Sequence, residues 1–136
     1  MRKEQGKDPL KYRIVNKKKE ELVRQLLIEF FIDEYNYPLD RIRSEEPVNI
    51  GKEKDEPEAA DVVVLDNIGE WYIVGECKAA TERVTKKDVK QGESYARTMR
   101  AQWLIMTNGK DVLDCYKDEP RTGWVQVPLE KLQRFR

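Results

Sequence analysis

Apolar residues first fall into a regular pattern between positions 22 and 31, where Leu22, Val23, Leu26, Leu27, Phe30 and Phe31 recur three and four apart. That spacing predicts an amphipathic helix from Lys17 to about Tyr35, which Asn36 and Pro38 end. The preceding residues 1–16 are polar and basic and read as an arm, or as a short strand around Tyr12–Val15. Arg41 to Ile50 reads as a weak extended segment. Gly51 to Pro57 is a charged loop with no apolar residue. Two β-branched runs follow, Asp61-Val-Val-Val-Leu-Asp66 and Trp71-Tyr-Ile-Val-Gly-Glu-Cys-Lys78. The short Asn67-Ile-Gly69 link between them predicts a hairpin. Thr85 to about Arg100 carries Val89, Ala96 and Met99 at helical spacing. Gly92 lies inside that helix at a cost of about 1 kcal/mol relative to Ala, which suggests close packing against something. Gln102 to Thr107 reads as a buried strand, Asn108-Gly109 as a turn and Asp111 to Tyr116 as its hairpin partner. A strand at Trp124–Val127 and a helical turn from Leu129 complete the chain. Helices alternating with strands predict an α/β domain: a mixed central sheet flanked by helices.

Length and composition then narrow the function. The 136 residues suit one domain, and no segment approaches the roughly 20 apolar residues that a membrane-spanning helix needs. The best run, Leu26 to Ile32, is broken by Glu29. No apolar stretch follows the basic N-terminus as a signal peptide would require, so a cytoplasmic protein is expected. Histidine is absent, which removes Ser-His-Asp and Cys-His catalysis and every His-ligated zinc site. Cys77 and Cys115 are too few for a four-thiolate zinc site or a disulfide scaffold. Cys77, beside Gly75 and Ile73 on its strand face, reads as a small buried hydrophobe.

Charge is abundant and locally uneven. Basic and acidic residues balance at 26 each and make up 38% of the chain. Residues 1–19 nevertheless hold eight Lys/Arg against two Asp/Glu, and residues 45–70 two against nine. Net charge therefore says nothing about partners, whereas charge placement does.

The candidate chemistry lies at Glu76-Cys77-Lys78. Strand alternation puts Glu76 and Lys78 on one face at the end of an apolar strand, where charge needs a partner or a metal. If the two central strands pair, Asp61 comes close to Glu76. Two adjacent carboxylates repel each other, but they suit a hard divalent ion such as Mg2+. A neighbouring lysine suits a phosphate substrate. A surface salt bridge would give the same tripeptide. Gln91 and Tyr95 share one face of the following helix, ringed by Lys86, Lys87, Lys90, Arg97 and Arg100. Such a helix fits either a polyanionic substrate or a solvated surface. On the first helix Glu21 and Gln25 share a face with Ile28 and Ile32, and a glutamate there also serves the helix dipole.

Taken in order, the blocks KEELVRQLLIEFFIDEYNYPLDRI, AADVVVLD, WYIVGECKAA, QGESYAR and WLIMTNG resemble the N-terminal nuclease domain of type I restriction enzyme R subunits, within the PD-(D/E)xK superfamily. The resemblance spans about residues 17–116, leaving 1–16 as an arm and 117–136 as a C-terminal extension. It implies a restriction-endonuclease-like core and Mg2+-dependent hydrolysis of DNA phosphodiester bonds, with Mn2+ able to substitute. Asp61 matches the first metal-binding aspartate, Glu76 the second acidic ligand, Lys78 the catalytic lysine and Glu21 the helix-one glutamate. Gln91 and Tyr95 match the Q-x-x-x-Y motif, with Gln91 assisting catalysis. Tyr95, together with the neighbouring Lys87 and Lys90, would contact substrate. Ala60 stands where the superfamily name has proline. The resemblance supplies no helicase motor within these residues, so translocation is not expected of this polypeptide. A homodimer, or partner subunits supplying motor or specificity, would be compatible with it. Two rival expectations stand beside the nuclease: a catalytically silent nucleic-acid-binding or assembly subunit, and a structure-selective nuclease or junction resolvase.

Overall fold

A computed structural model of the chain describes residues 9–48 and 58–135, with side chains from residue 19. The loop expected over 51–57 lies outside the described residues. The elements run α1 (Pro9–Tyr35), a 3-10 turn (Leu39–Arg41), β1 (Ile42–Val48), β2 (Glu58–Leu65), β3 (Trp71–Cys77), α2 (Lys86–Met99), β4 (Trp103–Thr107), β5 (Leu113–Glu119), β6 (Gly123–Val127) and a second 3-10 turn (Leu129–Lys131). The six strands form one sheet in sequential order. β3 and β4 are parallel and every other neighbouring pair is antiparallel. This is the expected α/β architecture, a mixed sheet with a helix on each face.

Strand alternation builds the two layers. Val62, Val64, Ile73, Ile105 and Cys115 point to one face, where Val23, Leu27 and Phe31 of α1 cover them. Val63, Val74, Leu104 and Met106 point to the other, against Tyr95 and Ala96 of α2. Burying each of the larger of these side chains is worth about 1.5–3 kcal/mol, so the two apolar layers fix both helices on the sheet. The close packing expected at Gly92 is present: a Cβ there would stand 2.9 Å from Leu104 Cδ1 and 3.0 Å from Met106 Sδ.

Three boundaries differ from expectation: β2 begins at Glu58 and not at Asp61, because Glu58, Ala59 and Ala60 pair with Val48, Pro47 and Glu46 of β1. α1 starts at Pro9 and takes in Tyr12–Val15, which was expected as arm or strand. Residues 10–19 hold no glycine or proline, so nothing in the sequence interrupts the helix there. β5 continues to Glu119, because its pairing with β6 carries the ladder through Lys117 and Asp118. Elsewhere the ends are set by local chemistry. The Asp66 carboxylate accepts the amides of Ile68 and Glu70 and closes the β2–β3 hairpin, with Gly69 at φ +86°. Thr85 and Asp88 form a capping box at the start of α2, and Arg100 ends it at φ +61°. No helix among the described residues is long and apolar enough to cross a membrane.

Candidate active site

The β2–β3 ladder ends at the pair Val62–Gly75, and there side chains take over from backbone. The amide of Asp61 donates to Glu76 Oε2 at 3.1 Å, while the amide of Cys77 donates to Asp61 Oδ2 at 2.7 Å. Each carboxylate thus gives one oxygen to the opposite strand; the second oxygen of Asp61, Oδ1, faces Arg24 Nη2 at 3.9 Å. Period-two alternation puts Lys78 on the face of Glu76, and the Lys78 amide bonds the Thr107 carbonyl on β4 at 2.9 Å. A cleft of about 220 Å³ opens here, lined by Glu20, Asp61, Glu76, Lys78, Asp88, Gln91 and Tyr95 among others. The structure therefore gathers Asp61, Glu76, Lys78, Gln91 and Tyr95 into one place.

It does not bring Glu21, Lys87 or Lys90 there. Glu20, one position earlier, lines the cleft instead. The 100° turn per residue swings Glu21 to the side of the helix, where it accepts from Arg24 Nη1 at 2.6 Å and Gln25 Nε2 at 2.7 Å. Lys87 and Lys90 are exposed and lie outside the cleft lining. The Tyr95 hydroxyl is occupied, donating to Glu58 Oε1 at 2.6 Å.

The cleft holds an excess of negative charge. Burial raises the pKa of Glu76, and the nearby Asp61 raises it further. Burial also raises Asp61, against the opposing pull of the Cys77 amide and Arg24. Glu20 is raised by burial and then by Asp61. For Lys78, burial acts downward, but Asp88 and Glu82 together outweigh it and hold the ammonium protonated. Its Nζ lies 3.4 Å from Glu82 Oε1 and 3.7 Å from Asp88 Oδ1. The Cys77 thiol, buried behind the site, is pushed well up and is no nucleophile.

Several of these residues carry no signal in a motif. Glu20 shares a helical face with Val23, Leu27 and Phe31 at spacings of three and four, and that buried stripe was the clue to it. Asp88 reads from sequence as the partner of Thr85 in a cap, which it is, while also pairing with Lys78. Arg24 is visible only in the fold: its side chain is 11% exposed, and its Nη2 lies 3.9 Å from Asp61 Oδ1.

The donors are all oxygen, which fits a hard cation such as Mg2+ or Mn2+ and disfavours a soft one. Among the described residues no three His, Cys, Asp or Glu side chains converge closely enough to hold a metal by themselves. Mg2+ does not need such a cage, since it keeps several waters and is commonly held by one or two carboxylates plus phosphate oxygens. Asp61 and Glu76, each with one oxygen that accepts no hydrogen bond among the described residues, fit that requirement, and Glu20 stands beside them.

No curated protein matches the chain. The family described as "Type I restriction enzyme R protein N terminus" matches residues 19–128, a stretch that contains α1 from Lys19 onward, the whole sheet and every residue of the cleft. The chain belongs to the family of type I restriction enzyme R protein N-terminal domains.

Proposed function

We propose that the chain is a divalent-metal-dependent endonuclease that hydrolyses DNA phosphodiester bonds. The observation that carries this is the crossed pair of hydrogen bonds that fixes Asp61 and Glu76 side by side, with Lys78 and Glu20 in the same cleft. Two half-buried carboxylates whose pKa values are both raised are a destabilising arrangement unless a cation resolves it. Family membership supports the same chemistry.

Asp61 and Glu76 would hold the ion through the oxygens that accept no hydrogen bond, with Glu20 as a further or water-mediated ligand. A bound divalent ion supplies Lewis-acid stabilisation of the phosphoryl oxygens and of the leaving oxygen. Lys78, kept protonated by Asp88 and Glu82, places a cation beside the phosphorus. It stabilises the charge that builds on the phosphoryl group and orients the attacking water. Gln91, whose side chain is uncharged and borders the cleft, offers an amide to the water or to a phosphate oxygen. Tyr95 acts through Glu58 to set the position of α2, and hence of Gln91.

The test is cleavage of supercoiled plasmid, single-stranded DNA and a branched DNA with Mg2+, with Mn2+ and with chelator. Metal-dependent cutting supports the nuclease, and the preferred substrate separates restriction-like from resolvase-like action. Salt-sensitive binding without cutting by any substrate would turn the assignment to a binding subunit.

A further inference from the structure

A second concavity, of about 660 Å³, lies beside the cleft, between loop 80–85 and loop 108–112. Both loops leave the carboxyl ends of β3 and β4, the parallel pair joined through α2. That is where open α/β sheets bind their ligands. The partition between the two concavities is shared. Glu82 and Thr85 line the groove, and their partners Lys78 and Asp88 line the cleft.

The groove is preformed. Asn108 is 3% exposed, and its Oδ1 accepts the amides of Lys110, Asp111 and Val112 at 3.0–3.1 Å. Its Nδ2 donates to the Glu82 carbonyl at 3.3 Å and to Asp111 Oδ1 at 2.8 Å, stitching one wall to the other. Four charged residues border the groove, and they divide unequally. Glu82 is paired with Lys78, and Asp111 is bonded to Asn108. Arg83 and Lys110 are exposed and have no acidic partner among the described residues.

We propose that this groove receives the sugar-phosphate backbone of the strand whose phosphodiester lies in the cleft, with Arg83 and Lys110 neutralising two of its phosphates. The inference rests on the cleft being a phosphodiester site. With Glu82 offset by Lys78, Arg83 and Lys110 outnumber the one remaining acid, Asp111, so the walls attract a polyanion, and the shared partition sets groove and cleft side by side along one strand's course. Arg83 and Lys110 are then substrate-positioning contacts that carry no base readout.

The test compares the full chain with the double variant Arg83→Ala/Lys110→Ala. Binding to a labelled duplex and to a single-stranded oligonucleotide is measured in chelator over a series of KCl concentrations. Losing two phosphate contacts should flatten the log–log salt slope by about 1.8 on duplex or about 1.4 on single strand. The charge-conserving variant Arg83→Lys/Lys110→Arg should retain the parent slope. Both side chains are exposed, so melting temperatures should stay unchanged, and Mn2+ binding should equal that of the parent. A double alanine variant with the parent's slope, where the parent binds, overturns the groove while leaving the cleft assignment standing. A parent that neither binds nor cuts DNA overturns the cleft assignment, and the groove with it.

Discussion

Arg24 Nη1 lies 2.7 Å from Glu45 Oε2, a contact between residues 21 positions apart that ties α1 to β1. Glu45 is the one residue of β1 in the left-handed region, at φ +53°. The ladder runs on either side of it, with Ser44 opposite Val62 and Glu46 opposite Ala60, so Glu45 stands level with Asp61. The same guanidinium reaches toward Asp61 Oδ1, so a strained strand residue and a cleft carboxylate share one cation.

Arg24→Met should therefore destabilise the fold by about 1–3 kcal/mol, the usual range when a buried polar partner is lost. Arg24→Lys should not restore it, because one ammonium cannot reproduce the guanidinium fork. Glu45→Gly should be close to neutral: relief of left-handed strain, about 1–2 kcal/mol, offsets the lost pair. Denaturant melts of the three variants check this, and a neutral Arg24→Met would contradict it.

A second expectation concerns pH. In the folded chain Glu76 is pushed up to about 8, by burial and then by Asp61, whereas an unfolded glutamate titrates near about 4.3. The folded state thus binds the proton more tightly. The stability this contributes is complete below the unfolded value and is lost as pH rises through the folded one. Asp61 and Glu20 are shifted in the same direction. Asp88 lies below the ordinary range, because Thr85 and Lys78 outweigh its burial, and it titrates under this window. In chelator the melting temperature should fall from pH 5 to pH 8, and Glu76→Gln should flatten the fall. Mg2+ should raise the melting temperature more at pH 8 than at pH 5, since it competes with protons. A melting temperature that climbs across the window would refute the paired-carboxylate picture.

Gly92 supplies a third. Helix propensity alone favours Gly92→Ala by about 1 kcal/mol. The added Cβ would meet Leu104 Cδ1 and Met106 Sδ, both on fully buried side chains, at 3.0 Å or less. Overpacking should win, with a net loss of about 1–2 kcal/mol. Where the strain is taken up by α2 and not by the Leu104 and Met106 side chains, Gln91 should shift with the helix and cleavage should weaken. A more stable Gly92→Ala protein would show that α2 is loosely seated.

Asn108 is the fourth. Asn108→Ala removes the acceptor for three amides and the stitch to loop 80–85. A loss of about 2–3 kcal/mol is expected. Asn108→Asp keeps the acceptor, loses the donor and places a new charge beside Asp111, so it should recover part of the stability at most. Thermal melts of the two variants decide the point.

How much was legible before the fold was known follows from which interactions are local. The hairpin from Asp61 to Lys78 and the capped α2 are written in contiguous residues, so both strands and the helix could be read directly. Asp61 and Glu76 could be placed together because a hairpin converts a spacing along the chain into a distance. That Glu20 and not Glu21 lines the cleft could not be read, because apolar residues come in adjacent pairs on α1 and the pairs left its phase undetermined. Packing resolves it: Val23, Leu27 and Phe31 are buried, while Leu22 and Leu26 are about half exposed. Arg24, Glu45 and Glu58 act across separate elements, and no spacing announces them. The Asn108-Gly109 pair read as a turn, but the groove it closes depends on the Glu82 carbonyl, 26 positions away.

The most direct measurement pairs Mn2+ binding, followed by electron paramagnetic resonance, with plasmid cleavage in the same preparations of wild type, Glu76→Ala and Lys78→Ala. The wild type should bind Mn2+ and cut. Glu76→Ala should lose both, and Lys78→Ala should bind Mn2+ normally while cutting about 10²–10³-fold more slowly, as befits loss of one transition-state contact. Undiminished cutting by Glu76→Ala and Lys78→Ala would contradict the assignment of the cleft.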